Sequence, residues 1–110
     1  MGIDIALYEG RPNNGRRTSP TMLHLSTDHG QALAEALAAH ADPSGHRLHR
    51  IDPYGDTLFN EQDAGAAFEE ATTLLARCTT EEQRAAVRDL RNLLAHCAAT
   101  PGSWVAFHGD

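Results

Sequence analysis

The sequence predicts an α+β domain: a small antiparallel sheet covered on one face by an antiparallel two-helix hairpin, with a third helix packed alongside. Three observations lead there. Near the amino terminus, apolar residues alternate with polar or small ones, as in a strand with one buried face. In the second half, two long segments carry apolar residues at helical spacing, and too few residues separate them for the chain to cross a domain. The 110 residues fit a single domain, residues 1–110, large enough to be stable without metal or disulfide.

Ile3, Ile5 and Leu7 alternate with Asp4, Ala6 and Tyr8, which makes Ile3–Tyr8 the first strand. From Gly10 to Thr21 the chain reads G-R-P-N-N-G-R-R-T-S-P-T, a loop on its Gly, Pro and Asn content. Loops of that length in a compact domain are usually functional or disordered. Met22–Leu25 is a second short strand, and Ser26, Thr27 and Asp28 offer N-cap side chains to an Ala/Leu-rich helix over Gly30–Ala41. Asp42-Pro43-Ser44-Gly45 ends that helix, because a residue before Pro avoids the α region. Arg47–Ile51 reads as a third strand, although Leu48 and Ile51 do not alternate cleanly.

Asp52-Pro53-Tyr54-Gly55 has the residues of a type I turn, and Asn60 caps a helix whose first turn carries Asp63. Within that helix Ala64, Ala67, Phe68, Ala71, Leu74, Leu75 and Cys78 fall within about 120° of arc, a core-facing stripe. Thr80-Glu81-Glu82-Gln83 has the pattern of a reciprocal capping box, and behind it Ala86, Val87, Leu90, Leu93, Leu94 and Cys97 form a second stripe. Pro101-Gly102 stops this helix, and Trp104–Phe107 is the last strand.

Hydrophobic residues at 41% and charged residues at 22% lie near globular averages, which excludes disordered, collagen-like and membrane-spanning classes. Fifteen acidic residues against nine basic give a formal charge of −6, so nucleic acid is not the expected partner. The start, Met1-Gly2-Ile3-Asp4-Ile5, lacks a basic region followed by an apolar stretch, and no apolar run approaches the roughly 18 residues of a membrane span. A cytoplasmic protein without membrane contact is the expectation. All nine basic residues are Arg, a bias that fits a GC-rich coding sequence.

The densest local pattern is Ile51-Asp52-Pro53-Tyr54-Gly55-Asp56-Thr57-Leu58-Phe59-Asn60. Turn chemistry explains most of it, but Asp52, Tyr54 and Asp56 also present two carboxylates and a phenol on one corner, suited to a basic partner. This block, with the two-helix segment and the terminal Phe107-His108-Gly109-Asp110, resembles small uncharacterised proteins of high-GC actinobacteria. Those proteins pair an I-D-P-Y-G-D-T-x-F-N-like block with a closing F-x-G-D. The resemblance covers Leu48 to Asp110 and implies no particular activity. In size, acidity and architecture the chain is also similar to immunity proteins that neutralise bacterial toxins, an analogy that shares no motif residue and implies a protein partner.

No catalytic residue and no cofactor is assigned. Cys-x-x-Cys, His-Glu-x-x-His, a G-x-S-x-G elbow and a P-loop are all missing, and the seven His residues, among them His24, His29, His46 and His49, form no recognised ligand set. Cys78 and Cys97 lie on the two stripes, about 25 Å apart along a helical hairpin, so they are expected as buried free thiols. Arg84, Arg88 and Arg91 form a solvated row offset by Glu81. The leading expectation is a non-catalytic protein-binding module with an acidic surface around Asp52, Tyr54 and Asp56. The alternative is a small-molecule binder or minor enzyme, in which Arg11, Arg16 and Arg17 close over an anionic ligand beside Tyr8, His24 and Trp104. A scaffolding homodimer is the third.

Overall fold

The computed structural model describes residues 2–10, 21–41 and 47–109. Strands β1 (Ile3–Glu9), β2 (Thr21–Ser26), β3 (Asp56–Phe59) and β4 (Ser103–Gly109) form one sheet in the order β2-β1-β4-β3, antiparallel throughout. Helices α1 (Gly30–His40), α2 (Glu61–Arg77) and α3 (Glu81–Ala99) cover one face. The α+β architecture, with an α2–α3 hairpin on the sheet and α1 beside α3, is as the sequence predicts.

Alternation along the strands sorts their side chains onto two faces. Ile3, Ile5 and Leu7 of β1, Phe59 of β3, and Val105 and Phe107 of β4 share one core with Leu33 of α1, Leu74 of α2, and Val87, Leu90 and Leu94 of α3. Phe59 and Phe107 meet edge-on, with centroids 4.9 Å apart and planes at 65°. Both thiols are buried and free: Cys78 just beyond the end of α2, Cys97 in α3.

One element differs from its expectation. Arg47–Ile51 is not a strand but a single 3₁₀ turn, Leu48–Arg50. The Glu70 carboxylate of α2 accepts from the backbone N–H groups of Arg47 (3.1 and 3.2 Å) and Leu48 (3.0 Å), satisfying donors that a strand would have turned to a neighbour. Leu48 and Ile51, three apart and both buried, fall on one side of such a turn. The fourth strand is Asp56–Phe59 instead, with Thr57 opposite core-facing Phe107 and Phe59 opposite core-facing Val105.

The helix ends follow their local chemistry, with two departures. Asn60 and Asp63 form the capping box of α2: the Asn60 side chain accepts from Asp63 N–H at 2.8 Å, and the Asp63 carboxylate accepts from Asn60 N–H at 3.4 Å. At α3 only half the expected box forms. Thr80 Oγ1 accepts from Gln83 N–H at 3.1 Å, but the Gln83 side chain turns to Thr79 N–H (3.3 Å) and His40 Nε2 (3.2 Å), tying α1 to α3. Nor does a side chain from Ser26, Thr27 or Asp28 cap α1: its N-cap is His29, and the Ser26 hydroxyl donates to Asp89 of α3. After α3, Ser103 N–H returns to the Thr100 carbonyl at 3.1 Å across Pro101-Gly102, with Gly102 at φ +82°, a conformation that favours glycine.

These placements predict opposite signs for two substitutions in α2. Asn60→Ala should destabilise the fold by about 1 kcal/mol, the usual cost of losing an N-cap. Gly65→Ala should stabilise it by about 0.5–1 kcal/mol, because a Cβ there meets only the Ala98 methyl at 4.0 Å and a helix interior favours Ala over Gly. Urea denaturation of each variant checks both.

Candidate functional site

The corner over Asp52–Asp56 is held by backbone chemistry before any partner is considered. Asp52 Oδ1 accepts from Tyr54 N–H at 2.8 Å, and Gly55 N–H closes the turn onto the Asp52 carbonyl at 3.4 Å. Asp52 N–H donates to Thr57 Oγ1 at 3.0 Å, pinning the turn to β3. From the other side, Gly109 N–H donates to the Gly55 carbonyl at 2.8 Å. His108 Nδ1 lies 3.1 Å from Asp56 Oδ1.

The two blocks Ile51–Asn60 and Phe107–Gly109 thus meet as one joint. Two glycines are there for space: a Cβ on Gly109 would stand 2.4 Å from the Pro53 carbonyl group, and one on Gly55 would stand 2.7 Å from Asp52 Oδ2. On this joint Asp52 and Asp56 are exposed, and Tyr54, at 66% exposure, is the most exposed large apolar side chain described. All three corner residues named from sequence are exposed, Asp52 and Tyr54 at the turn and Asp56 at the start of β3.

The residues named for an anion pocket fare differently. Tyr8 and Trp104 are cross-strand partners and stack, with centroids 4.5 Å apart and planes at 18°. The Trp104 indole N–H donates to the Gly10 carbonyl. His24 does not join them: it pairs with Leu7, whose side chain is in the core, so it stands on the opposite side of the sheet. Arg11, Arg16 and Arg17 lie outside the described residues, as does His46, and the described residues contain no group of three or more His, Cys, Asp or Glu placed to hold a metal ion.

The arginine row of α3 is divided. Arg84 and Arg88 both pair with Glu81, at 3.1 and 3.3 Å, and these two cations hold its carboxyl below the usual value. Arg91 instead lies over the Phe68 ring of α2, 4.9 Å from its centroid, as a cation–π bridge across the hairpin. Between the starts of α1 and α3, Asp28, Glu35, Glu81 and Glu82 line an open groove of about 600 Å³.

Sequence reasoning put the helices on one face of the sheet but did not read the apolar side chains of the other, which is closed at its centre, where Ala6 and Ala106 are each 1% exposed. By register, Leu25, Ala6, Ala106 and Leu58 form one row across all four strands, and Met22, Tyr8 and Trp104 form the next. At the ends of the rows Met22 (49% exposed), Leu25 (50%) and Leu58 (54%) face solvent. Leu23 is exposed too, at a β-bulge where Leu7 pairs with His24 and Tyr8 with Met22. The signal was present in Asp4-Ala6-Tyr8 and Trp104-Ala106-His108, whose small and aromatic members alternate with the core residues.

Gly109→Ala should cost about 1–3 kcal/mol, as forced overpacking does, and broaden the amide resonances of Pro53's neighbours Asp52 and Tyr54. Burial pushes both thiols up from their ordinary value of 9.0; nearby Arg84 partly offsets this for Cys78, and the Ser103 hydroxyl does so for Cys97. Their contribution to stability is therefore complete below pH 9.0 and is lost as pH rises from there through the raised folded values. Replacing both Cys by Ala should flatten that alkaline loss in a pH series of urea midpoints. No family model matches the chain, and searches of curated proteins and of solved structures find no match.

Proposed function

We propose that this chain is a non-catalytic, cytoplasmic protein-binding module that offers the Asp52–Tyr54–Asp56 corner to a basic protein, much as an immunity protein meets its toxin. One observation carries the reading: Tyr54 stands 66% exposed on a turn already held by backbone hydrogen bonds. An aromatic anchor held in place before binding loses little freedom on association, and such residues dominate interface energetics. Flanking carboxylates and a formal charge of −6 favour encounter with a basic surface. No described helix is long and apolar enough to cross a membrane.

The anion-binding alternative keeps the Tyr8–Trp104 stack but lacks His24 beside it, and no observation on the described residues favours it. Native mass spectrometry of the protein taken gently from its host should show the chain with one protein partner. Association of that pair should slow as salt rises, and Tyr54→Ala should weaken it by about 1–2 kcal/mol with the fold intact. A bare chain, or an association rate indifferent to salt, overturns the proposal.

A further inference from the structure

We infer that β2 is the seat of a dimer: its exposed edge pairs antiparallel with β2 of a second copy, joining the two sheets into one. The inference stands apart from the reading of the Asp52–Tyr54–Asp56 corner and uses the opposite edge of the sheet.

The two edges of this sheet differ. β3 is four residues long and begins at exposed Asp56, two features that discourage another strand from pairing with it. β2 has neither. Thr21-Met22-Leu23-His24-Leu25-Ser26 holds no Lys, Arg, Asp, Glu or Pro. Among the described residues, no strand and no backbone group bonds to its outer side. Thr21 to Leu25 are all exposed, even on the helical side, where His24 is opposite core-facing Leu7 and yet open to solvent. A strand of this kind presents a row of N–H and C=O groups ready to pair with another strand.

The occupant that fits is a second copy, because the strand is complementary to itself. Antiparallel pairing about a twofold axis between Leu23 and His24 sets Met22 opposite Leu25 of the other copy, and Thr21 opposite its Ser26. Residues opposite one another in an antiparallel pair point to one face. Met22 and Leu25 already share a face, Met22 beside Tyr8 and Leu25 beside Ala6, because the bulge takes up the extra residue between them. The pairing therefore gathers two Met22 and two Leu25 side chains, each about half exposed in the single chain, into one apolar cluster.

Charge does not oppose this contact, although the whole chain carries −6. In the sequence Arg11, Arg16 and Arg17 precede β2 and Asp28 follows it. Antiparallel pairing brings the start of one β2 to the end of the other, so the basic sequence leading into Thr21 is set toward the acidic exit from Ser26 and not toward its own counterpart. The twofold axis stands perpendicular to the sheet, so the helices of both copies remain on one side. β3 and the corner joined to it lie at the far edge of each copy, free for a partner.

The test is sedimentation equilibrium of the full chain over about 1 μM to 1 mM, which should show a reversible monomer–dimer equilibrium. The amide resonances that shift with concentration should be those of Thr21–Ser26. Met22→Lys with Leu25→Lys should weaken association about tenfold or more with an unchanged circular dichroism spectrum, because the paired strands would then set like charges opposite each other. These substitutions also reduce the negative charge of the chain, so general repulsion is not what separates the copies. Leu58→Lys, on the β3 edge, should leave association unaltered.

A chain that stays monomeric throughout that range overturns the inference and leaves the edge to an extended segment of another protein. A dimer that survives the two β2 substitutions, or that Leu58→Lys dissociates, overturns it as well. None of these outcomes bears on the Tyr54→Ala test of the corner.

Discussion

Three helices pack on one side of a four-stranded sheet, and that one-sidedness organises the described residues. The covered side takes the large branched and aromatic residues: Ile3, Ile5, Leu7, Phe59, Val105 and Phe107 are all essentially closed to water. The opposite side carries smaller groups at its centre, Ala6 beside Ala106, both closed to water as well, and half-exposed Leu25 and Leu58 at its edges. A sheet with one bare face usually makes that face polar. Here polar residues hold one end, in the row Asp4, His108 and Asp56, and give way to apolar residues across the middle. The middle of this side is closed to water, and among its apolar residues Met22, Leu25 and Leu58 near the edges are open to solvent.

The acidity of the chain has a structural share. Glu70 caps the 3₁₀ turn, Glu61 accepts from Gly102 N–H at 2.7 Å, Asp63 completes the box with Asn60, and Asp52 organises its own turn. Asp63 also lies within 3.4 and 3.5 Å of Arg47 and Arg50, so one carboxylate closes a helix and anchors the turn before β3. Carboxylates in these roles meet backbone donors that would otherwise look to water. The formal charge of −6 therefore overstates how many acids are free to meet a partner, and the exposed side chain of Asp56 gains importance from that.

Helices α1, α2 and α3 and strands β1, β2 and β4 were legible because each carries a period or a punctuation mark of its own. The 3₁₀ turn and β3 were not, because each takes its conformation from a distant partner. Glu70, in the middle of α2, decides that Arg47–Ile51 will curl, and nothing local to Leu48 announces it. β3 is four residues between a turn signal and a cap signal, with apolar Leu58 outward and Thr57 inward, against the usual alternation. The corner could be read from turn chemistry alone. The face opposite the helices could be read only in part: the alternation in β1 sets Ala6 on it, but its partners, Leu25 and Ala106, depend on strand order and register. Ser26 shows the same limit: a good capping residue next to a helix, taken instead by Asp89 from across the fold.

On the proposed reading, carboxylates and apolar side chains divide the work of recognition by the distance over which each acts. Exposed carboxylates such as Asp56 attract a basic surface across about 10 Å of ordinary buffer, but once docked an exposed ion pair contributes little. Apolar side chains do nothing at that distance and much on contact, since each square ångström removed from water stabilises by about 25 cal/mol. On the proposed reading, charge on the turn governs how fast and in which orientation a partner arrives, and Tyr54 governs how long it stays. The joint between Gly55 and Gly109 fixes the turn to the same β3–β4 ladder that displays Leu58, so the exposed Tyr54 and Leu58 are held in one frame rather than on a separate loop.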